Sequence, residues 1–85
     1  MRYSLRIKGS AAKALSKIDK PDRVRLIAAI DGLPSQPFAG SALKGELRGL
    51  RRIRIGNYRV IYEIQAKELV VLVVSIGHRR EVYRT

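Results

Sequence analysis

Residues 51–64 read RRIRIGNYRVIYEI and decide the fold, because two runs of alternating apolar residues flank a Gly-Asn pair. Alternation with a period of two is typical of a half-buried strand, and a Gly-Asn pair between two such runs indicates a two-residue hairpin turn. A turn at this pair fixes the register of the two strands. It places these residues opposite one another: Ile55 and Tyr58, Arg54 and Arg59, Ile53 and Val60, and Arg52 and Ile61.

The predicted register gathers basic side chains on one face of the hairpin. Successive strand residues point to opposite faces, so Arg52, Arg54 and Arg59 share one face. The apolar side chains on the other face, toward the helices, are Ile53, Ile55, Tyr58, Val60 and Tyr62. Opposed like charges cost stability, and Glu63 is too far along the strand to neutralise all three. The arginines either keep an outer face soluble or bind phosphate, and we favour phosphate because guanidinium groups match its geometry.

The sequence on both sides of the hairpin predicts an α+β domain. Residues 2–7 alternate as a strand does, and apolar residues at helical spacing indicate a helix over 11–18. A second helix is expected to start at residues 19–22, with Pro21 in its first turn, and to end near Leu33. Residues 69–76 are almost entirely apolar and predict an interior strand. We therefore predict a single domain over residues 1–85, in which an N-terminal strand and two helices precede a three- to four-stranded antiparallel sheet with the helices packed on one face.

A long connector joins the second helix to the hairpin. Residues 34–49 are punctuated by Gly and Pro, and connections of this length are uncommon in small domains and often functional. We expect a turn of helix within the connector. We also expect Phe38, Leu43 and Leu47 to anchor it to the core.

Composition narrows the classes of function. The 85 residues include no cysteine, which excludes disulfides and thiol catalysis, and one histidine with scattered acidic residues does not make a conventional zinc or two-metal site. We expect no metal and no cofactor. The net charge of +11 predicts a polyanionic partner, with nucleic acid ahead of a membrane surface or an acidic protein. With no long apolar run and no signal-peptide pattern, a cytoplasmic location is expected.

Metal-free RNA cleavage is one reaction that such a protein can support. The 2′-hydroxyl of the RNA attacks the adjacent phosphate, so the protein need only position the strand, stabilise charge and move protons.

The C-terminal tail contains further candidate site residues. The chain leaving Ile76 is expected to bring His78 and Arg79 to the rim of the arginine face. His78 is either a proton-transfer group or an ordinary loop residue. Tyr83 either stacks on a base or packs at the edge of the core.

Two segments resemble the RelE/ParE superfamily of bacterial toxins: residues 43–62, LKGELRGLRRIRIGNYRVIY, and residues 75–83, SIGHRREVY. The resemblance covers essentially the whole chain and is nearest to the RelE branch. Members of that branch are ribosome-dependent mRNA endonucleases that cleave in the A site and are held inactive by an antitoxin encoded beside them. The resemblance therefore implies a RelE-like fold, mRNA and the ribosome as partners, a cognate antitoxin, and a free toxin that is monomeric and assembles further through the antitoxin.

The resemblance also implies roles for individual residues. By the family pattern, Arg52 and Arg54 bind the mRNA backbone and Arg59 binds the transition-state phosphate. Arg79 assists the leaving 5′-oxygen, and Tyr83 stacks on a base of the codon. Further RNA-binding charge is expected from Arg48, Arg51 and Arg80.

One position departs from the family pattern. Arg54 stands where most members have a lysine that is proposed as the general base, and a guanidinium is a poor proton acceptor because it stays protonated. We hypothesise that Arg54 acts electrostatically and that His78 takes the acid or base role.

Two alternatives stay open at the level of the sequence. ParE-type toxins share the fold but poison DNA gyrase, and they generally lack the catalytic basic set. A catalytically inactive nucleic-acid-binding relative is the second alternative, because Arg54 replaces the usual base.

Overall fold

A computed structural model describes residues 3–78 of the chain. Five strands and two helices follow one another as β1 (Ser4–Ile7), α1 (Gly9–Ser16), α2 (Lys20–Gly32), β2 (Ser41–Ala42), β3 (Leu50–Ile55), β4 (Tyr58–Gln65) and β5 (Val70–His78). A short 3₁₀ helix, Gly45–Leu47, lies between β2 and β3, which confirms the turn of helix expected in the connector. No helix within residues 3–78 is long and apolar enough to cross a bilayer.

The strands form one sheet with the order β1-β5-β4-β3-β2. β2 to β5 pair antiparallel, whereas β1 pairs parallel with β5. The predicted α+β fold is confirmed, and the first strand joins the same sheet as a parallel edge. The sheet is therefore mixed and has five strands.

Both helices pack on one face of the sheet and build the core there. The buried helix residues are Ala11 and Leu15 of α1 and Leu26 and Ile30 of α2, and the buried Ile18 and Leu33 follow the ends of the two helices. The buried strand residues that they meet are Val60, Tyr62, Val71, Val73 and Ile76. The second helix begins and ends where the sequence indicates, with Asp19 before its first residue, Pro21 in the first turn and Leu33 after its last residue.

The central hairpin has the register that the Gly-Asn pair predicts. Ile55 pairs with Tyr58 and Arg54 pairs with Arg59. Gly56 has a φ of +59°, which is the conformation that the first position of a type II′ turn requires and that glycine adopts without a steric cost.

Polar contacts, rather than a buried Phe38, attach the connector to the sheet. Phe38 is 66% exposed, so the prediction that it anchors the connector in the core is wrong, while Leu43 and Leu47 are half-buried. The Tyr62 hydroxyl donates to the Pro37 carbonyl at 2.7 Å and accepts from the Gly40 N–H at 3.1 Å. These two bonds hold residues 37–40 against the edge of the sheet.

Gly40 sits where a larger residue has no room, and Gly40→Ala is expected to lower the free energy of unfolding. A Cβ at this position would collide with the Arg52 carbonyl and would lie 2.8 Å from the Tyr62 hydroxyl oxygen. Overpacking of this kind costs about 1–3 kcal/mol, which urea denaturation would measure. Gly32→Ala is the matched control, because a Cβ there has no atom within 4 Å. A Gly40→Ala variant as stable as Gly32→Ala would contradict the expectation.

Candidate nucleic-acid interface

Three arginines share the face of the sheet opposite the helices. Val60 and Tyr62 are buried against the helices, so their neighbours on β4 face the other way. The register then places Arg59, its partner Arg54 and the next alternate residue Arg52 together on that outer face. We call these three residues the arginine surface. The sequence predicts the same three residues on one face.

Arg54 and Arg59 form a particularly close pair. Leu43 donates its N–H to the Leu50 carbonyl at 2.9 Å, so the backbone polar groups of Leu50 point toward β2. Backbone direction alternates along a strand, so the N–H and C=O groups of Arg54 point the same way and not toward β4. The Arg54–Arg59 pair is therefore a non-hydrogen-bonded pair, in which Cα atoms approach to about 4.5 Å and side chains lie closest.

The charges near this surface are mainly positive. Arg54 is exposed, and Arg52 and Arg59 are half-buried. Glu63 lies on the same face, four residues along β4 from Arg59, and its carboxylate accepts a hydrogen bond from the Gln65 amide at 2.9 Å. Within residues 3–78, Arg54 has no ion-pair partner. The pair of like charges thus suits an anionic ligand that approaches from solvent.

Arg51 is not part of the arginine surface. Its register partner is Tyr62, which places it on the helix side of the sheet. Its guanidinium donates to the carbonyls of Phe38 and Gly40 and lies 5.2 Å from the centre of the Phe38 ring. Arg51 therefore ties down the connector on the helix side of the sheet, and its expected contribution to RNA binding stays a prediction. Arg48, by contrast, is exposed in the loop before β3.

His78 also lies on the helix side of the sheet. It pairs with Tyr58, and the two rings meet edge to face with centroids 5.8 Å apart. The two residues line a cavity of about 400 Å³ together with Lys17 and Ile18 of the α1 end. The prediction that His78 reaches the rim of the arginine surface is wrong, because the register gives that side of β5 to Gly77, opposite Arg59.

His78→Gln is accordingly expected to leave the rate of RNA cleavage and its pH profile within about twofold of the wild type. The imidazole is separated from the arginine surface by the sheet, so a proton transferred there does not pass through it. Rates of mRNA cleavage measured across neutral pH test this expectation. A lost limb in the pH–rate profile would contradict it and would restore the acid–base hypothesis for His78.

The tail residues Arg79, Arg80 and Tyr83 lie outside the described residues. The roles that the resemblance implies for them stay predictions.

Two further arginines, outside the hairpin, add positive charge near the hairpin turn and on the outer face of the sheet. The sequence does not predict them as site residues. A Cβ on Gly56 would lie 3.5 Å from Nη1 of Arg25, so this α2 residue reaches the hairpin turn. Arg6 pairs with Leu72, which places it on the outer face at the far side of the sheet. Alternation within β1 is a signal that could have found Arg6, but only the folded chain brings Arg25 to the turn.

The arginine surface can bind and polarise a phosphodiester. Guanidinium groups offer several fixed N–H donors and stay protonated, so they can stabilise negative charge that develops on phosphate oxygens but cannot accept a proton. Within residues 3–78, no three His, Asp or Glu side chains come together in a way that could hold a metal ion.

Comparison with known proteins identifies the family. The model of the ParE toxin of type II toxin–antitoxin systems matches residues 5–83. The chain belongs to this family. This match confirms the predicted resemblance to the RelE/ParE toxin superfamily. The toxin RelG of Mycobacterium tuberculosis (strain ATCC 25618 / H37Rv) is 32% identical over 89 residues, which cover 99% of each chain.

Solved structures of RelE-type toxins have the same fold. A chain of the RelBE2 toxin–antitoxin complex of M. tuberculosis is 28% identical with a TM-score of 0.75, over 93% of this toxin and 100% of that chain. A chain of the archaeal RelE–RelB complex of Pyrococcus horikoshii OT3 is also 28% identical, with a TM-score of 0.77, over 96% of this toxin and 100% of that chain.

Proposed function

We propose that this toxin is a ribosome-dependent, metal-independent mRNA endonuclease that cleaves in the A site and arrests translation. The observation that carries the proposal is the close Arg54–Arg59 pair, with Arg52 beside it, on an outer sheet face that is free of the helices. Two opposed arginines repel each other unless an anion lies between them. An RNA phosphate is such an anion, and the resemblance of the sequence to the RelE branch implies this class of reaction.

The chemistry assigned to the arginine surface is electrostatic. The RNA 2′-oxygen forms a bond to the adjacent phosphorus and loses its proton, while the bond from phosphorus to the 5′-oxygen breaks and that oxygen gains a proton. The products are a 2′,3′-cyclic phosphate and a 5′-hydroxyl. Arg59 and Arg54 stabilise the charge that builds on the phosphorane oxygens. By resemblance, Arg79 assists the leaving oxygen and Tyr83 holds the neighbouring base.

The proposed setting is the cytoplasm, with the ribosome as docking partner. A net charge of +11 on 85 residues favours entry into a cavity walled by ribosomal RNA, and binding of this kind weakens steeply with added salt. We also infer a cognate antitoxin, because the M. tuberculosis and P. horikoshii relatives were solved as toxin–antitoxin complexes. The free toxin is proposed to be a monomer that assembles further through this antitoxin.

The test is to add purified toxin to a reconstituted translation reaction and to map mRNA 5′ ends by primer extension. Cleavage that requires ribosomes and falls at the A-site codon supports the proposal. Intact mRNA would overturn it.

The second candidate function is poisoning of DNA gyrase, and the match to a ParE family model is the observation that favours it. A supercoiling assay with purified gyrase, run in parallel with the translation reaction, separates the two candidates. Inhibited supercoiling with intact mRNA would assign the toxin to the gyrase-poisoning class. The inactive relative that the sequence left open would show neither effect.

A further inference from the structure

The outer face of the sheet carries a second pair of basic residues at its far edge. Arg6 pairs with Leu72, and Leu72 pairs with Glu63 of the outer face, so Arg6 shares that face with the arginine surface. Lys8 is the next residue of the same parity, and its backbone is still extended just before α1 begins. Both basic residues are exposed. We call Arg6 and Lys8 the β1 basic edge.

The charges of the β1 basic edge are not neutralised within residues 3–78. Neither Arg6 nor Lys8 has an ion-pair partner among these residues. Glu63 lies on the same face two strands away from Arg6, about 10 Å between backbones, and its carboxylate accepts a hydrogen bond from Gln65. The β1 basic edge therefore suits an anion that approaches from solvent.

Small, uncharged residues of β5 lie between the arginine surface and the β1 basic edge. Gly77 lies opposite Arg59 and has no side chain, and Ser75 lies opposite Ile61. Both β5 residues belong to the outer face, because their partners on β4 do. A strand that leaves Arg59 along β5 therefore meets neither a large side chain nor a negative charge at these two positions.

The distance between the two basic groups corresponds to several nucleotides of single-stranded RNA. Arg59 lies opposite Gly77 of β5. Arg6 lies beside Leu72, five residues earlier on β5 and one strand further across the sheet, so the Cα atoms of the two arginines are about 18 Å apart. A stacked strand advances about 3.4 Å per nucleotide and an unstacked strand roughly twice as far, so this distance spans about three to five nucleotides.

We propose that the β1 basic edge is a second phosphate-binding site, which holds the RNA about three to five nucleotides away from the phosphate at the arginine surface. Arg6 is its main ligand, because a guanidinium can donate two parallel hydrogen bonds to one phosphate, and Lys8 adds a further charge. Arg6 does not reach the reacting atoms, so it is a positioning residue. The identity of the RNA as mRNA rests on the proposed function, whereas the site itself requires only that the outer face binds single-stranded RNA.

The regular spacing of phosphates favours RNA over an acidic protein segment as the occupant. Every nucleotide carries a phosphate, so a strand held at the arginine surface also presents one at the distance of Arg6. A peptide meets this requirement only if it carries acidic residues at two separate places. A second copy of the chain would bring another +11 to an edge that is already basic.

Binding of RNA strands of two lengths to the full-length toxin tests the proposal without ribosomes. The probes are fluorescein-labelled 2′-O-methyl oligonucleotides of three and eight uridines, in which the attacking hydroxyl is blocked, and fluorescence anisotropy measures the affinity. Arg6→Ala is expected to weaken binding of the octanucleotide about three- to fivefold and to leave the trinucleotide unchanged, because the short strand does not reach both basic groups. The dependence of log affinity on log salt is expected to lose a slope of about 0.7, the value for one phosphate of a single strand.

Two control variants separate a local phosphate contact from general charge. Arg6→Lys keeps the charge, so its affinity for the octanucleotide should lie between those of the alanine variant and the wild type. Lys13→Ala removes an exposed charge on the helix side of the sheet and should bind both strands as the wild type does.

Cleavage on programmed ribosomes distinguishes positioning from a structural role. Arg6→Ala is expected to raise the toxin concentration that gives half-maximal cleavage about three- to fivefold. The single-turnover rate at saturating toxin is expected to stay within about twofold of the wild type, because Arg6 does not contact the reacting phosphate. A lower rate at saturation would contradict the positioning role.

Four binding results would overturn the inference. The first is no binding of the octanucleotide to the wild type, and the second is equal affinity of Arg6→Ala and Lys13→Ala for this strand. The third is an equal loss for both strand lengths, which would mean that Arg6 acts as general charge and not as a separate site. The fourth is competition by octaglutamate as effective as that by unlabelled octanucleotide, which would assign the β1 basic edge to an acidic protein. Intact mRNA in the translation reaction would overturn the nuclease and leave these binding results standing, so the two proposals fail separately.

Discussion

Arg59→Ala is expected to lower the rate of mRNA cleavage by roughly 100- to 1000-fold, the effect of removing one preformed donor to a charged transition state. Arg59 is half-buried on β4 and lies directly opposite Arg54 on the arginine surface. The measurement is the single-turnover cleavage rate on programmed ribosomes, with toxin in excess. Under these conditions the loss reports on chemistry rather than on docking.

Two control variants make the Arg59 experiment specific. Arg59→Lys keeps the charge but loses the fork of N–H donors, so its rate should fall between those of the alanine variant and the wild type. Lys13→Ala removes an exposed charge from α1, on the other side of the sheet, and its rate should stay within about twofold of the wild type. A rate for Arg59→Ala equal to that of Lys13→Ala would contradict the assigned role.

Tyr62→Ala is expected to leave much of the protein unfolded at room temperature. The Tyr62 ring is fully buried in the core, and truncating a large aromatic residue costs about 3–5 kcal/mol. Protein domains have total stabilities of about 5–15 kcal/mol, and a domain this short is expected near the lower limit of that range. The variant also loses both hydrogen bonds to residues 37–40, so the connector is released from the sheet edge.

Tyr62→Phe separates the two contributions. It keeps the ring and removes only the hydroxyl, so the Pro37 carbonyl and the Gly40 N–H lose their partner at an expected cost of about 1–3 kcal/mol. Tyr58→Phe is the matched control, because no hydrogen bond involves its hydroxyl within residues 3–78. Urea denaturation followed by circular dichroism compares the three variants. If the two phenylalanine variants were equally stable, the hydroxyl of Tyr62 would have no structural role.

The hairpin could be predicted because the information that specifies it is local. A Gly-Asn turn between alternating runs fixes both the register and the faces, and the structure agrees pair by pair. The parallel pairing of β1 with β5 could not be predicted in the same way. The partners are more than sixty residues apart, and no turn chemistry connects them. β2, with two residues, is too short to give any alternation.

The arginine surface was also predictable, because the hairpin register alone places its three residues on one face. The positions of Arg51 and His78 could not be predicted in this way. Strand parity puts Arg51 with Tyr62 on the helix side of the sheet, whereas its charge alone suggests that it belongs with the neighbouring arginines. The apolar run in β5 has no alternation that assigns faces. The register against β4 also shifts between Ile61 and Tyr62, which changes the parity along the strand. Only the folded sheet shows that His78 lies with Tyr58.

The connector bonds of Tyr62 and Arg51 lie directly behind the strands that carry the arginine surface. One consequence concerns genetics. In a selection for cells that survive induction of this toxin, substitutions that truncate Tyr62 should be recovered as well as those at Arg59, because loss of the folded protein and loss of the phosphate ligand both silence the toxin. Survivors whose toxin still binds the antitoxin tightly would identify positions that act in the reaction. Survivors whose toxin is degraded would identify positions that hold the connector in place.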